Sequence, residues 1–227
     1  MVDYIGAIKK PTQDIQTLII GIILGMIPVI SLLNLGFAVG VGRATIKGDN
    51  KLPAWDPNQI VTYIKDIVFV LIITLVYMIP ALILFAIALA GFIVGAGGAL
   101  GALAAGNSQA LSAAVLGGLG TGGIFALLGL VLAVAGGVMA SMGIFFYIKE
   151  GSLGAAFKFG AILKKVLTVT YLVTLVVYIV YAFVLGILAA ILSIIPVLGA
   201  FLAAGILSFL TNVTSYTLLG QVFKETP

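Results

Sequence analysis

An all-α, polytopic bundle of transmembrane helices is the fold this sequence predicts, and three observations predict it. Residues 67–148 run for 82 positions without Asp, Glu, Lys or Arg. Only 8% of the chain is charged, against about 25% in a typical globular domain, and mean hydropathy is +1.33. The 227 residues suit a single integral membrane domain of about five spans, between four and six, at about 20 apolar residues each. Short interfacial helices should join them.

Residues 15–42 form the first uncharged run, bounded by Asp14 and Arg43. Twenty-eight helical residues reach about 42 Å, more than the roughly 30 Å of hydrocarbon. Pro28 stands near the middle, so the run is either one tilted, kinked span or a broken hairpin that re-enters. The single span is the preferred expectation. The run is also too long for the apolar core of a signal peptide, about 7–15 residues, so residues 1–14 do not read as a signal-peptide start.

Residues 43–66 are a polar connector. Asp56-Pro57-Asn58-Gln59 reads as a helix start, with Asp as cap and Pro at the first helical position. An amphipathic turn follows, with Trp55, Tyr63, Arg43 and Lys65 as anchors at headgroup level. The second span is expected at 67–92, kinked by Pro80. Residues 93–122 carry nine glycines, and the entropy cost of fixing glycine predicts that parts fray into loop. A third span at 123–148 leads to a second basic connector, 149–165, anchored by Lys164 and Lys165. A fourth span at 166–195, a tight break at 196–199 and a fifth span at 200–223 complete the chain.

An offset of 100 residues brings Lys65, Thr74, Leu75, Val76 and Ile79 onto Lys165, Thr174, Leu175, Val176 and Ile179. This suggests a weak duplication of 15–92 in 122–195, with the fifth span appended. With five spans, nine cationic residues share one side and only Lys9 and Lys10 fall on the other. If 15–42 re-enters, all eleven share one side. The positive-inside rule then makes the basic connectors and the C-terminus cytoplasmic, in the cell membrane.

Gly40-Val41-Gly42-Arg43, Lys51-Leu52-Pro53-Ala54-Trp55-Asp56 and Tyr77-Met78-Ile79-Pro80 resemble a family of archaeal and bacterial membrane proteins, domain of unknown function 4013. Residues 157–165 and Ile195-Pro196-Val197-Leu198-Gly199 are similar to its later half. The resemblance implies a multi-pass bundle and carries over no activity or site residue.

Catalysis is not expected. The chain has no His and no Cys, and its seven acids fall at expected interfaces or tails. No nucleophile–His pair, thiolate site or metal-ligand spacing can be written, and no Gly-Lys-Ser/Thr follows a glycine run. No catalytic, cofactor or metal residue is named. An ion-coupled carrier usually keeps an ionisable group at membrane depth, and the spans here are uncharged.

Two polar faces remain. Tyr171, Thr174, Tyr178 and Tyr181 share one side of the fourth span, and Ser208, Thr211, Asn212 and Ser215 one side of the fifth. The tight break makes these spans antiparallel, so Tyr178 and Tyr181 should reach the depth of Thr211 and Asn212. Interhelical hydrogen bonding is the plainer reading, and a solute-lining surface the sharper one. Small residues four apart, Gly21/Gly25, Gly36/Gly40 and Gly136/Ala140, permit close helix packing.

The sequence therefore predicts a non-enzymatic multi-pass protein that works by helix packing, in a homo-oligomer or with another membrane protein. Its partners are the lipid bilayer and such a chain, and no nucleic acid. The alternative is a small channel or carrier for an uncharged or apolar solute, lined by the last two spans.

Overall fold

The computed structural model describes residues 1–226, which form α-helices joined by short turns, with no strand among the described residues. They make two compact units, Met1–Ile73 with Ser141–Pro227, and Thr74–Ala140.

In the first unit, α1 (Tyr4–Lys9) starts where the Asp3 carboxylate accepts from the Gly6 N–H. Asp14 does the same for α2 (Ile15–Gly25), accepting from the Gln16 N–H and the Thr17 hydroxyl. After α2 the helix stops, and α3 (Leu32–Lys47) begins beyond Pro28. Proline has no N–H to continue the ladder, and the Ser31 hydroxyl turns back onto the Pro28 carbonyl at 2.6 Å.

The single kinked span preferred for 15–42 is therefore corrected: this segment is a broken hairpin. In a continuous helix residues 21 and 34 would lie about 20 Å apart. Instead the Asn34 amide donates to the Gly21 carbonyl at 2.9 Å. At the other end, the Lys10 ammonium donates to the Thr45 hydroxyl at 3.2 Å, so both ends of the hairpin meet. Gly48, at φ 89°, closes α3 in the left-handed conformation that glycine adopts without strain.

The hairpin packs along α8 (Leu198–Glu225). Gly25 lies against the Gly205 backbone, Gly21 against the Phe209 ring, and Thr45 beside Gly220. Fifteen residues of α8 separate the two ends of this contact, about 22 Å, which is shorter than the roughly 30 Å of hydrocarbon that a single crossing needs. Of the four long helices α8 is the least apolar and the most enclosed. Its Thr214, Thr217 and glycines face protein, while α7 (Val169–Leu192) beside it exposes Val173, Val176, Val180 and Leu188. Helices that meet lipid must be apolar outside, and polar groups are confined to the interior.

Asp56 caps the turn Pro57–Gln59 as the sequence predicts, accepting from Asn58 N–H at 2.9 Å, and α4 (Ile60–Ala104) follows. That helix runs on through Pro80. α5 (Ser108–Glu150) begins at Asn107, whose side-chain oxygen accepts from Ala110 N–H. Short α6 (Phe159–Val166) and Thr168, which caps α7, complete the second basic connector. Between α7 and α8 the Leu198 N–H reaches the Pro196 carbonyl across Val197, at φ 63° and ψ −68°, a γ-turn that a β-branched residue adopts only under strain.

The second unit is an antiparallel pair made by α4 and α5 beyond residues 73 and 141. The fraying expected of 93–122 does not occur: apart from 105–107 the segment is helical. The glycines explain it. Gly91 faces Gly122 and Gly95 faces Gly118, so close that a Cβ on Gly95 would stand 2.5 Å from the Gly118 Cα. The same register continues to Gly129 under Phe85 and Gly136 against the Tyr77 carbonyl. Packing of backbone on backbone offsets the entropy cost that favoured a loop.

Candidate functional site

The charged groups gather at one end of the first unit. Arg43, on α3, directs one guanidinium nitrogen at both oxygens of Asp66 on α4, at 3.1 and 3.2 Å. The Tyr147 hydroxyl of α5 donates to the same carboxylate at 2.9 Å. Asp66 is 2% exposed, so three helices are tied to one buried charge. Lys10 is buried against Thr45 and the Asp49 carbonyl, and burial lowers its pKa more than the Asp49 charge raises it.

Two of the expected headgroup anchors belong to the protein interior. Tyr63 is buried, and Trp55 stacks on Phe37 with ring centroids 4.6 Å apart. Tyr63 meets both rings edge-on and Phe209 stacks on the far side of the group. Such pairs contribute about 0.5–1.5 kcal/mol each beyond their buried area. They hold the 48–59 loop over a hollow of about 280 Å³ lined by Gly40, Arg43, Lys47, Asp49, Gln59 and Tyr63. The Asn34 carbonyl oxygen and the Trp55 indole N–H are buried with no partner among the described residues.

A second hollow, about 550 Å³, opens at the ends of α5, α6 and α8. Lys149, Lys164, Lys165 and Lys224 line it, with Phe146 and Phe223 as aromatic wall. The ammonium groups of Lys165 and Lys149 both sit over the Phe223 ring, at 4.6 and 5.8 Å from its centroid. Lys165 is nearly buried, and donates to the Phe223 and Thr226 carbonyls at the end of α8. Desolvation, then the neighbouring Lys149 charge, lowers its pKa. Lys65, the remaining anchor, stands over the Phe69 ring.

The two polar faces do not form one surface. Tyr181 accepts from Thr214 at 3.2 Å, and the Tyr178 hydroxyl lies beside those of Ser215 and Thr211. Tyr171 instead bonds Ser141 of α5 at 2.9 Å, and Thr174 meets Tyr4 of α1. Ser208 receives the Asn34 amide at 3.1 Å. Thr211, Asn212 and Ser215 donate to carbonyls one turn back on their own helix. Among the packing residues, Gly21, Gly25, Gly36 and Gly136 are at close contacts, and Ala140 is buried. A Cβ on Gly40 would meet nothing within 4 Å.

Sequence reasoning missed Asn34, Lys10, and the pairing of Arg43 with Asp66. One signal was present: Asp66 is the last charge before the 82-residue uncharged run. Among the described residues there is no cluster of His, Cys, Asp or Glu that could hold a metal.

Four helices long and apolar enough to cross a bilayer, with a packed polar end, define a multi-pass helical membrane protein. The family described as a protein of unknown function, DUF4013, matches residues 19–194. The chain belongs to that family, in agreement with the motifs at Arg43, Pro53–Trp55 and Pro80. No curated protein and no solved structure matches it.

Proposed function

We propose that this chain is a non-catalytic assembly component of a membrane complex, packing the pair formed by residues 74–140 against a second copy of itself. The observation that carries the proposal is a second set of glycines on that pair. Gly91, Gly95, Gly118 and Gly122 are used between the two helices, whereas a Cβ on Gly97, Gly101, Gly117 or Gly120 would meet nothing within 4 Å. Beside them an open apolar hollow of about 590 Å³ is floored by Ala90, Gly98, Ala113 and Gly117. Lipid tails are as apolar as leucine, so helices associate in a bilayer through close packing, which such floors allow.

A second copy suits the surface because a two-fold contact uses the same face twice and needs no further partner chemistry. The eleven cations at one end support a cytoplasmic position for that end, in a cell membrane. A carrier lined by α7 and α8 has less behind it, since its hydroxyls are occupied by neighbouring side chains and carbonyls.

The test compares Gly97→Leu with Gly101→Leu, both outward, against Gly95→Leu, inward. The mass of the purified protein in mild detergent is read by light scattering. The outward pair should keep helicity and thermal stability while losing the oligomer. A wild-type protein that is monomeric in both detergent and nanodiscs would overturn the proposal.

A further inference from the structure

The hollow at the ends of α5, α6 and α8 gathers positive charge, and no acidic side chain among the described residues lines it. The acids nearest in sequence are engaged elsewhere: Glu150 with Lys158 at 2.7 Å, Glu225 with the N-terminal ammonium at 2.5 Å, and Asp66 with Arg43. Among the described residues, Lys149, Lys164, Lys165 and Lys224 make no ion pair. Four like charges around one cavity repel, and the cost falls when an anion enters.

We propose that this hollow binds a phosphate-bearing anion, either the headgroup of an acidic lipid or the same group free in solution. The parts are suited to it. All three Lys165 protons are directed at protein, to the Phe223 and Thr226 carbonyls and the Thr226 hydroxyl, so that residue supplies field. Lys149 and Lys164 are exposed and have donors to offer phosphate oxygens. Lys224 lies with its ammonium beside Gly48 and adds charge from the opposite wall. Phe146, Phe223 and Ile46 give the cavity an apolar side, which a headgroup joined to a glycerol can use and a bare ion cannot. The volume, about 550 Å³, falls within the range of about 300–1,000 Å³ usual for small-ligand sites. Basic pockets between helices near a membrane surface recognise acidic headgroups by this chemistry. The proposal stands apart from self-assembly, because it uses the first unit alone.

The experiment reads lipid retention by native mass spectrometry of the whole protein, released from nanodiscs of phosphatidylglycerol mixed with phosphatidylcholine. The exposed pair Lys149→Gln with Lys164→Gln is compared with Lys47→Gln with Lys51→Gln, an equal charge loss elsewhere. Circular dichroism confirms that both fold. Wild type should retain phosphatidylglycerol in preference, and the first pair should weaken retention about thirty-fold, with the second pair unchanged. In a parallel arm, inorganic phosphate is added to lipid-free protein in detergent. A rise in melting temperature for wild type but not for the first pair would support the free anion as ligand. Equal retention of both lipids with no effect of phosphate would overturn the proposal, as would an equal loss in both double variants.

Discussion

Arg43 and Asp66 join the α2–α3 hairpin to the first long helix through one guanidinium nitrogen 3.1 and 3.2 Å from the two carboxylate oxygens. The partners differ in exposure: the Asp66 side chain is 3% exposed and that of Arg43 36%. Removing the arginine leaves a buried carboxylate with only Tyr147, and stranding a buried charge typically costs about 3–5 kcal/mol. The exposed guanidinium is partly screened, so Arg43→Met should fall somewhat below that range, at about 2–3 kcal/mol. Arg43→Met with Asp66→Leu should recover most of that loss. The check is a double-mutant cycle on unfolding in detergent; additive losses would dismiss the pair as a structural tie.

The hairpin makes a topological prediction. The chain has no cysteine, so single introduced cysteines report cleanly. Gln13→Cys and Lys51→Cys should react with an impermeant maleimide from the same side of the membrane, since the Leu52 N–H donates to the Gln13 side chain at 3.0 Å. Ser108→Cys, at the first residue of α5, should react from the other side. Labelling of positions 13 and 51 from opposite sides would restore a single span.

What the sequence made legible was local. Asp56, Pro57 and Gln59 announce a helix start within four residues, and the cap forms as read. The uncharged run announces apolar helices of great length. What it hid depends on contacts between distant residues. Pro28 marks a break in either reading of 15–42, and only Asn34 reaching Gly21 decides for the hairpin. The glycines of 93–122 read as loop because their cost is local, while the gain at Gly95 and Gly118 needs two helices in register. The lysine hollow was hidden likewise: Lys149, Lys165 and Phe223 come from three separate elements. The antiparallel meeting of Tyr178 with Thr211 was readable, because the Pro196 break leaves the two helices one arrangement, whereas Asn212, expected at the same depth, donates to the Ser208 carbonyl of its own helix.

Inside the second unit, a side chain at Gly118 must displace backbone, since a Cβ there would stand 2.7 Å from the Gly95 Cα. Gly118→Leu should therefore separate the helix pair, with a loss of more than about 3 kcal/mol, beyond the usual range for overpacking. Gly120→Leu, two residues on and facing open space, should change stability by less than about 0.5 kcal/mol. Thermal unfolding of the two variants in the same detergent tests this, and similar losses would mean the register is wrong.

The Tyr181–Thr214 bond gives a bounded expectation for the polar face. Hydrogen bonds between membrane helices average about 0.6 kcal/mol and reach about 1.7. Tyr181→Phe and Thr214→Val should each be mild, with a coupling energy inside that range. A coupling near zero would leave the 3.2 Å contact without energetic weight.

Lys10 makes stability depend on pH in a stated direction. Burial, the larger influence, lowers its folded pKa below the ordinary 10.5, and the Asp49 charge opposes only part of that. Below the folded pKa both states hold the proton, and the cost of the buried charge is fully present. Between the folded pKa and 10.5 the unfolded chain binds more protons, so stability rises with pH through that window. Lys10→Met has no such cost to relieve. Its melting temperature relative to wild type should therefore be most favourable near neutral pH, and the advantage should shrink as pH approaches 10.5. Melting curves of both proteins from pH 7 upward supply the measurement. A constant difference would show that the ammonium keeps its water, and with it that the hairpin's two ends do not close over Lys10 as the bond to Thr45 requires.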